Sequence, residues 1–399
     1  MIAPPYPSKQ AAQTVGLHDN ILNAISSSNL YVWRGEMMDK REKKVEAFQI
    51  IVSVFSIIGV LAALIAIPEV RQWIGLDPAG AETAETQEDK LMVFYDDDGS
   101  LDGTAALLYL LAHPSVEVEA ITISYGEAHP EVYAQHIGRL LDDLGLSGIP
   151  LGAGQDAPLS AGNAFPDWMR QFSDNFWGIS LPNEDRVYLA TSAPELMVTS
   201  INQSDVPVTI FMSGPATNLA QALRLDPGIR ENIDAVYIMG GAVYVPGNIR
   251  DLTPDSHNNV AEWNIYADPQ AAKEVFNSEL DLYLVPLDAT DQVTINIEDT
   301  RLWRVGDKTA SYAASLYDIS FNEYGMEVTE IWDLLAAVIM ADPELCGFQS
   351  LSLDVITEEG NTTGQTILVA GGQPNVSVCL YPDPDLVRQR MIDVFSHSE

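Results

Sequence analysis

Four aspartates fall within seven residues, Asp96, Asp97, Asp98 and Asp102 in YDDDGSLDG. The apolar run LMVFY at 91–95 precedes them and the apolar stretch TAALLYLLAHP at 104–114 follows. Carboxylates crowded in this way repel one another unless a proton or a cation compensates them. Oxygen-only donors suit a hard divalent ion such as calcium or magnesium. A solvated acidic turn is the plainer alternative, but a strand-like run on one side and a helix-like run on the other place the cluster at a strand end.

The elements needed to hold such a cluster are legible downstream. VEAITIS at 118–124, VPVTIFM at 206–212, DAVYIMGG at 234–241 and DLYLVPLD at 281–288 read as strands, and ATNLAQALRLDP and DPQAAKEVFN as helices between them. Near-continuous apolar strands joined by helices predict an α/β domain with a mostly parallel central sheet flanked by helices. In such sheets ligands bind beyond the carboxyl ends of the strands, so the polar residues just after each strand are the candidates for chemistry. SGPATN and MGG lack the spacing of a phosphate loop or dinucleotide fingerprint, which argues against a nucleotide cofactor. The six histidines show no metal-ligand spacing; His129 and His257 are read as loop residues, the latter in a long stretch that could form part of a lid.

Two families place acids in this manner. A haloacid-dehalogenase-like phosphatase would use Asp96 as nucleophile, Asp98 as acid and Ser213 as its second motif, but Lys273 and Lys308 sit in no suitable context for the lysine it needs. The pattern more fully resembles the inosine-uridine-type nucleoside N-ribohydrolases, whose opening motif is D-x-D-x-x-x-D-D. Asp96, Asp98 and Asp102 match its first three acids, and the similarity continues through GIPLGAGQDAPL at 148–159, SGPATNLAQAL at 213–223, YIMGG at 237–241, Gly247-Asn248, AEWNIYADPQAA at 261–272, VPLDAT at 285–290 and IWDLLAA at 331–337. It covers nearly all of 91–395.

The resemblance implies a calcium-dependent hydrolase that cleaves ribonucleosides to ribose and free base. Asp98 would be a calcium ligand and the general base for the metal-bound water, with Asp333 and the Ser213 carbonyl as further ligands and Asp96 as support. Asp102 and Asn264 would hold ribose hydroxyls, Asn248 and Glu262 the sugar's 5′ side, and Met239 would line the ribose pocket. These residue types suit the chemistry, because N-glycosidic cleavage passes through an oxocarbenium-like cation that carboxylates stabilise.

The chain departs from the family at two places. The fourth acid of the opening motif is Gly103, and Glu127, in SYGEAHP, stands where the family usually has asparagine. Glu127 is therefore the expected replacement metal ligand. Several members place a histidine before the late metal-binding aspartate, whereas this chain has Trp332. That is similar to the purine-preferring branch, in which tryptophans stack on the base. Trp168, in NAFPDWMR, is the expected second stacking residue, with Trp177 and Trp263 as further candidates. Purine ribonucleosides are the expected substrates, and a nucleoside- or ribose-binding protein without turnover is the alternative that Gly103 raises. The resemblance leaves room for a homo-oligomer, the common state of relatives.

Charge divides the chain of 399 residues. Of its net −37, residues 1–84 carry −1 and the remainder −36, which argues against a nucleic-acid partner. Residues 47–68, AFQIIVSVFSIIGVLAALIAIP, hold no charged side chain. At roughly 33 Å of helix they could cross a hydrocarbon core of about 30 Å. Arg34, Lys40, Arg41, Lys43 and Lys44 precede this run and only Arg71 follows closely, so residues 1–46 are expected to be cytoplasmic and the acidic part outside. Residues 69–89 read as an acidic linker and 90–399 as the nucleoside-hydrolase-like domain. The two cysteines, Cys346 and Cys379, allow one bridge at most, and Asn202, Asn361 and Asn375 head glycosylation sequons.

Overall fold

β-Branched and aromatic side chains with no polar break dictate strands that must be covered on both faces. In the computed structural model, which describes residues 90–397 apart from 160–162, 183–186 and 189, that is how they are used. Nine strands form one sheet: β1 (Leu91–Asp97), β2 (Val116–Ile123), β3 (Leu151–Ala153), β4 (Thr191–Ser192), β5 (Val208–Ser213), β6 (Ile233–Met239), β7 (Leu282–Val285), β8 (Cys346–Leu351) and β9 (Val376–Pro382). Their spatial order is β8-β9-β7-β6-β5-β1-β2-β3-β4. All neighbouring pairs are parallel except β8 with β9. That antiparallel pair carries a disulfide between Cys346 and Cys379, with Cα atoms 5.8 Å apart. The sequence permitted this bridge without requiring it.

Helices lie on both faces. On one side pack α1 (Leu101–Ala112), α2 (Pro130–Leu144), α3 (Asp167–Asp174), and later helices; on the other pack α4 (Ala193–Gln203), α5 (Thr217–Leu225) and, past the short α6 (Trp263–Ala267), α7 (Pro269–Phe276). The chain then adds α8 (Lys308–Asn322), α9 (Trp332–Ala341) and α10 (Pro384–His397) to the first side. Alternation along β1 sorts its side chains between the two layers, as a period of two requires. Val93 and Tyr95 enter the layer of α1, whereas Phe94 enters that of α5. The same alternation sends Asp96 toward α5 and Asp97 toward α1.

The strand and helix expectations agree with these elements to within a few residues. The antiparallel edge was not expected from the run of parallel strands. The expected membrane span at 47–68 and linker at 69–89 lie outside the described residues; among the described residues, no helix is long and apolar enough to cross a membrane. The Asn375 sequon is occluded: its side chain bonds the Phe276 and Leu353 carbonyls and the Leu353 amide at 2.8–3.0 Å.

Candidate active site

Register brings the chemistry together. Asp97 of β1 lies opposite Ser213 of β5 and Ile123 of β2, so three adjacent parallel strands end at the same level. Beyond those ends opens a cavity of about 470 Å³. Asp98 sits on its floor between two close glycines: a Cβ on Gly126 would fall 2.2 Å from Asp98 Oδ2, and one on Gly214 2.7 Å from its Cβ. Only 1% of Asp98 is exposed, and while Oδ2 accepts from the Glu127 amide at 3.2 Å, Oδ1 meets no hydrogen-bond donor among the described residues.

The other sequence-predicted residues line the same cavity, with one exception. Asp102, Glu127, Ser213, Met239, Asn248, Glu262, Asn264, Trp332 and Asp333 all face it, and Trp168, 57% exposed, stands at its rim. Trp177 and Trp263 also reach it, the latter stacked on Phe165 with ring centroids 4.6 Å apart. Asp96 does not line the cavity. Thr122 Oγ1 and Asn218 Nδ2 donate to its Oδ1 at 2.6 and 2.8 Å, which ties β1 to β2 and α5.

Long-range hydrogen bonds fix the remaining acids. Asp102, in the first turn of α1, accepts from the Tyr317 hydroxyl on α8 and from the Asp333 amide at 2.6 Å, thereby capping α9. Ser100 caps α1 by accepting from the Gly103 amide at 2.7 Å and donates to Asp333 Oδ2 at 2.7 Å. Glu262 caps α6, taking the amides of Asn264 and Ile265 and that of Gly241. Asn264 Nδ2 donates to the Met239 carbonyl at 3.1 Å, and Asn248 Oδ1 accepts from the Trp263 amide at 3.1 Å. Ser100 and Tyr317 were missed by sequence reasoning. A serine directly before a helix is an N-cap signal that would have flagged the first; Tyr317 reads as an ordinary core position of α8, with no signal.

Seven acids and no basic side chain line the cavity among the described residues. Burial is the main reason that the proton affinities of Asp96, Asp97, Asp98, Asp102, Glu127 and Asp333 rise. It holds Asp96 at about 7, against the hydrogen bonds from Thr122 and Asn218 that pull it down. Burial, reinforced by Glu127 and Asp96, brings Asp97 to about 8. Burial and then Asp102 bring Glu127 to about 7, and burial, with a smaller push from Glu330, outweighs the bonds from Tyr317 and the Asp333 and Leu334 amides to leave Asp102 at about 6. Asp98 and Asp333 are raised well above the usual carboxylate range, first by burial and then by neighbouring acids.

The unfolded chain releases these protons near pH 4, so between about pH 4 and 8 the folded state binds more protons than the unfolded one, and stability falls as pH rises. Melting temperatures in chelator should therefore drop from pH 5 to pH 8. A melting temperature in chelator that is flat or rising over that range would contradict this.

The donors fit a hard cation by chemistry: oxygen only, and, among the described residues, uncompensated by any base and with one Asp98 oxygen unpartnered. No group of three or more His, Cys, Asp or Glu among the described residues stands ready as a ligand set.

The family model for inosine-uridine preferring nucleoside hydrolases matches residues 93–389. The chain belongs to this family. The hydrolase is 31% identical over 319 residues to the pyrimidine-specific ribonucleoside hydrolase RihA of Escherichia coli O1:K1, covering 77% of this chain and 97% of that protein. Among solved structures it is similar to a plant nucleoside hydrolase, the PpNRh1 enzyme, at 25% identity and a TM-score of 0.67, over 77% of this chain and 99% of that one. It shares its fold with a purine-preferring ribonucleoside hydrolase from Gardnerella vaginalis, at 24% identity and a TM-score of 0.66, over 76% and 98%. Membership in this family displaces the phosphatase reading, and the structure agrees. Lys273 pairs with Asp354 and Lys308 with Asp143, and neither reaches the cavity of the nucleoside hydrolase.

Proposed function

We propose that the hydrolase cleaves purine ribonucleosides to ribose and free base with calcium as its resident ion. The observation that carries this reading is Asp98, buried on the floor of an aromatic-walled cavity where, among the described residues, one of its carboxylate oxygens has no partner and no basic side chain lines the wall. Asp98, Asp333, the Ser213 carbonyl and an acid in place of residue 103, for which Glu127 is the candidate from sequence, would hold the ion. When bound, calcium would position water and increase its acidity.

This chain's own residues do the rest. Asp98 accepts the proton as water adds to the sugar's anomeric carbon, and the N-glycosidic electron pair leaves with the base, whose nitrogen takes up a proton from solvent. Asp102 and Asn264 orient the ribose hydroxyls; the Asp102 oxygens keep lone pairs beyond those given to Tyr317 and Asp333. Asn248 and Glu262 flank the 5′ side and Met239 lines the sugar pocket, while Asp96 braces β1 from beneath. The surrounding acids stabilise the ribosyl cation.

No histidine lines the cavity among the described residues, so base departure relies on stacking against Trp332, with Trp168 at the rim. Trp332→Ala is expected to raise KM for inosine about tenfold, the ~1.4 kcal/mol typical of one base–aromatic stack, and to affect uridine less. Equal effects on both would count against purine stacking. A pyrimidine preference is the second reading, favoured by the similarity to the pyrimidine-specific RihA. Release of reducing sugar from inosine, adenosine and uridine, each with calcium or chelator, tests the whole reading. Calcium-dependent release that is fastest with a purine supports it, and release unaffected by chelator would overturn the calcium assignment.

We also propose that the domain lies outside the cytoplasm, anchored by residues 47–68. The basic residues before that run and the Cys346–Cys379 bridge, which belongs to oxidising surroundings, support this placement. Protease added to intact cells should remove the domain; protection until the cells are permeabilised would contradict it.

A further inference from the structure

We propose that Asp97, on β1, supplies the metal-binding carboxylate that the family's opening motif places on the first turn of α1, at the position of Gly103. The assignment rests on the calcium-dependent reading above and deepens it. A Cβ built on Gly103 falls 1.9 Å from Asp97 Oδ1 and 2.7 Å from its Cγ. The Asp97 carboxylate thus fills the space where a side chain at 103 would begin, and the two residues are halves of one exchange: an acid appears on the strand where one is lost from the helix. An aspartate at 103 cannot coexist with Asp97 in this position, and Gly103 is the residue that lets Asp97 stay.

Two hydrogen bonds hold the carboxylate there. The Gly99 amide donates to Oδ2 at 3.1 Å and Ser213 Oγ donates to Oδ1 at 3.1 Å. Ser213 is also the residue whose carbonyl is expected to face the ion, so the bond aims Asp97 at the same end of β5. Each carboxylate oxygen retains acceptor capacity after one such bond. Asp98 follows Asp97 directly in the chain, and Ser100, three residues beyond Asp97, donates to Asp333 Oδ2 at 2.7 Å, which places the three acids in one group. Independent of that grouping, the buried Asp98 Oδ1 beside it meets no donor among the described residues, as a metal-facing oxygen would not. Glu127 makes no comparable approach to the Gly103 position. Its amide bonds Asp98 Oδ2, and it is not among the three atoms nearest the Gly103 Cβ position.

The test uses the full-length chain in detergent, stripped with chelator, with calcium titrated by calorimetry and melting followed with and without calcium. Asp97→Asn keeps shape and can accept from Gly99 while donating to Ser213, so it should fold, and in chelator it should melt no lower than the parent because a buried charge is gone. Its calcium affinity should fall at least about tenfold, and the calcium-induced rise in melting temperature should shrink with it. Returning the acid to the helix, in Asp97→Ala/Gly103→Asp, should recover most of the affinity that Asp97→Ala loses. Parental affinity in Asp97→Asn, or no recovery in the double variant, would overturn the assignment; a loss confined to Glu127→Gln would give the role to Glu127. A parent chain that binds no calcium would overturn both this and the reading beneath it, which distinguishes the two failures.

Discussion

Asp98→Asn is expected to cut kcat for the preferred nucleoside by about 10³-fold while leaving the domain folded. Asparagine keeps an oxygen for the Glu127 amide, at 3.2 Å in the parent, but cannot take a proton from water. The stability effect has the opposite sign from that of most single substitutions. Asp98 is buried and its proton affinity is raised by Glu127, Asp97 and Glu262 after burial itself, so a neutral amide relieves repulsion that the folded state bears. The variant should melt in chelator at or above the parent temperature. Single-turnover rates and melting curves on one preparation check both halves, and a kcat within tenfold of the parent would remove Asp98 from the base role.

Asp102→Ala is expected to damage activity and stability together. The carboxylate joins three elements: it sits on α1, accepts the Tyr317 hydroxyl from α8 and caps α9 through the Asp333 amide. Deleting it leaves a buried hydroxyl and a helix-terminal amide without their acceptor, each costing about 1–3 kcal/mol. Asp333, now on a frayed helix start, also loses its fixed position beside Ser100. Activity should fall by about 10³-fold in kcat/KM as ribose orientation is lost, with melting several degrees lower. Tyr317→Phe, which removes one of the two donors, should show a smaller part of both effects. An Asp102→Ala protein that melts like its parent would show that the α1–α9 bond contributes nothing to the fold.

The contrast between these two aspartates explains what was legible in the sequence. Asp98 and Asp102 were both found, because a cluster of acids between an apolar strand and an apolar helix marks a strand end. The strands themselves were found because Val93, Phe94 and Tyr95, or Ile210, Phe211 and Met212, are apolar without alternation and can only be buried on both faces. The partners of the acids were not found. Tyr317 lies 215 residues from Asp102 and has the spacing of any core tyrosine on α8, so nothing local distinguishes it. The pairing of β8 with β9 escaped for a similar reason, since its exposed, mixed residues carry no parallel-sheet signature. Asp97 was visible in the cluster but carried no assigned role, because the motif treats its position as variable. Its importance depends on a distance to Gly103 that only the strand-to-helix turn reveals.

The crowding between Asp97 and Gly103 also constrains the routes by which sequences of this kind can change. An ancestor with an acid on the helix could not reach this arrangement through a chain bearing aspartate at both positions, because the second carboxylate would collide with the first side chain. The opposite order passes through a chain with neither acid and one oxygen donor fewer. Either intermediate is penalised, so the two positions should change together along lineages, as a correlated pair six residues apart. A search that demands acid at the helix position would discard such chains as inactive, whereas one that scores the pair would retain them.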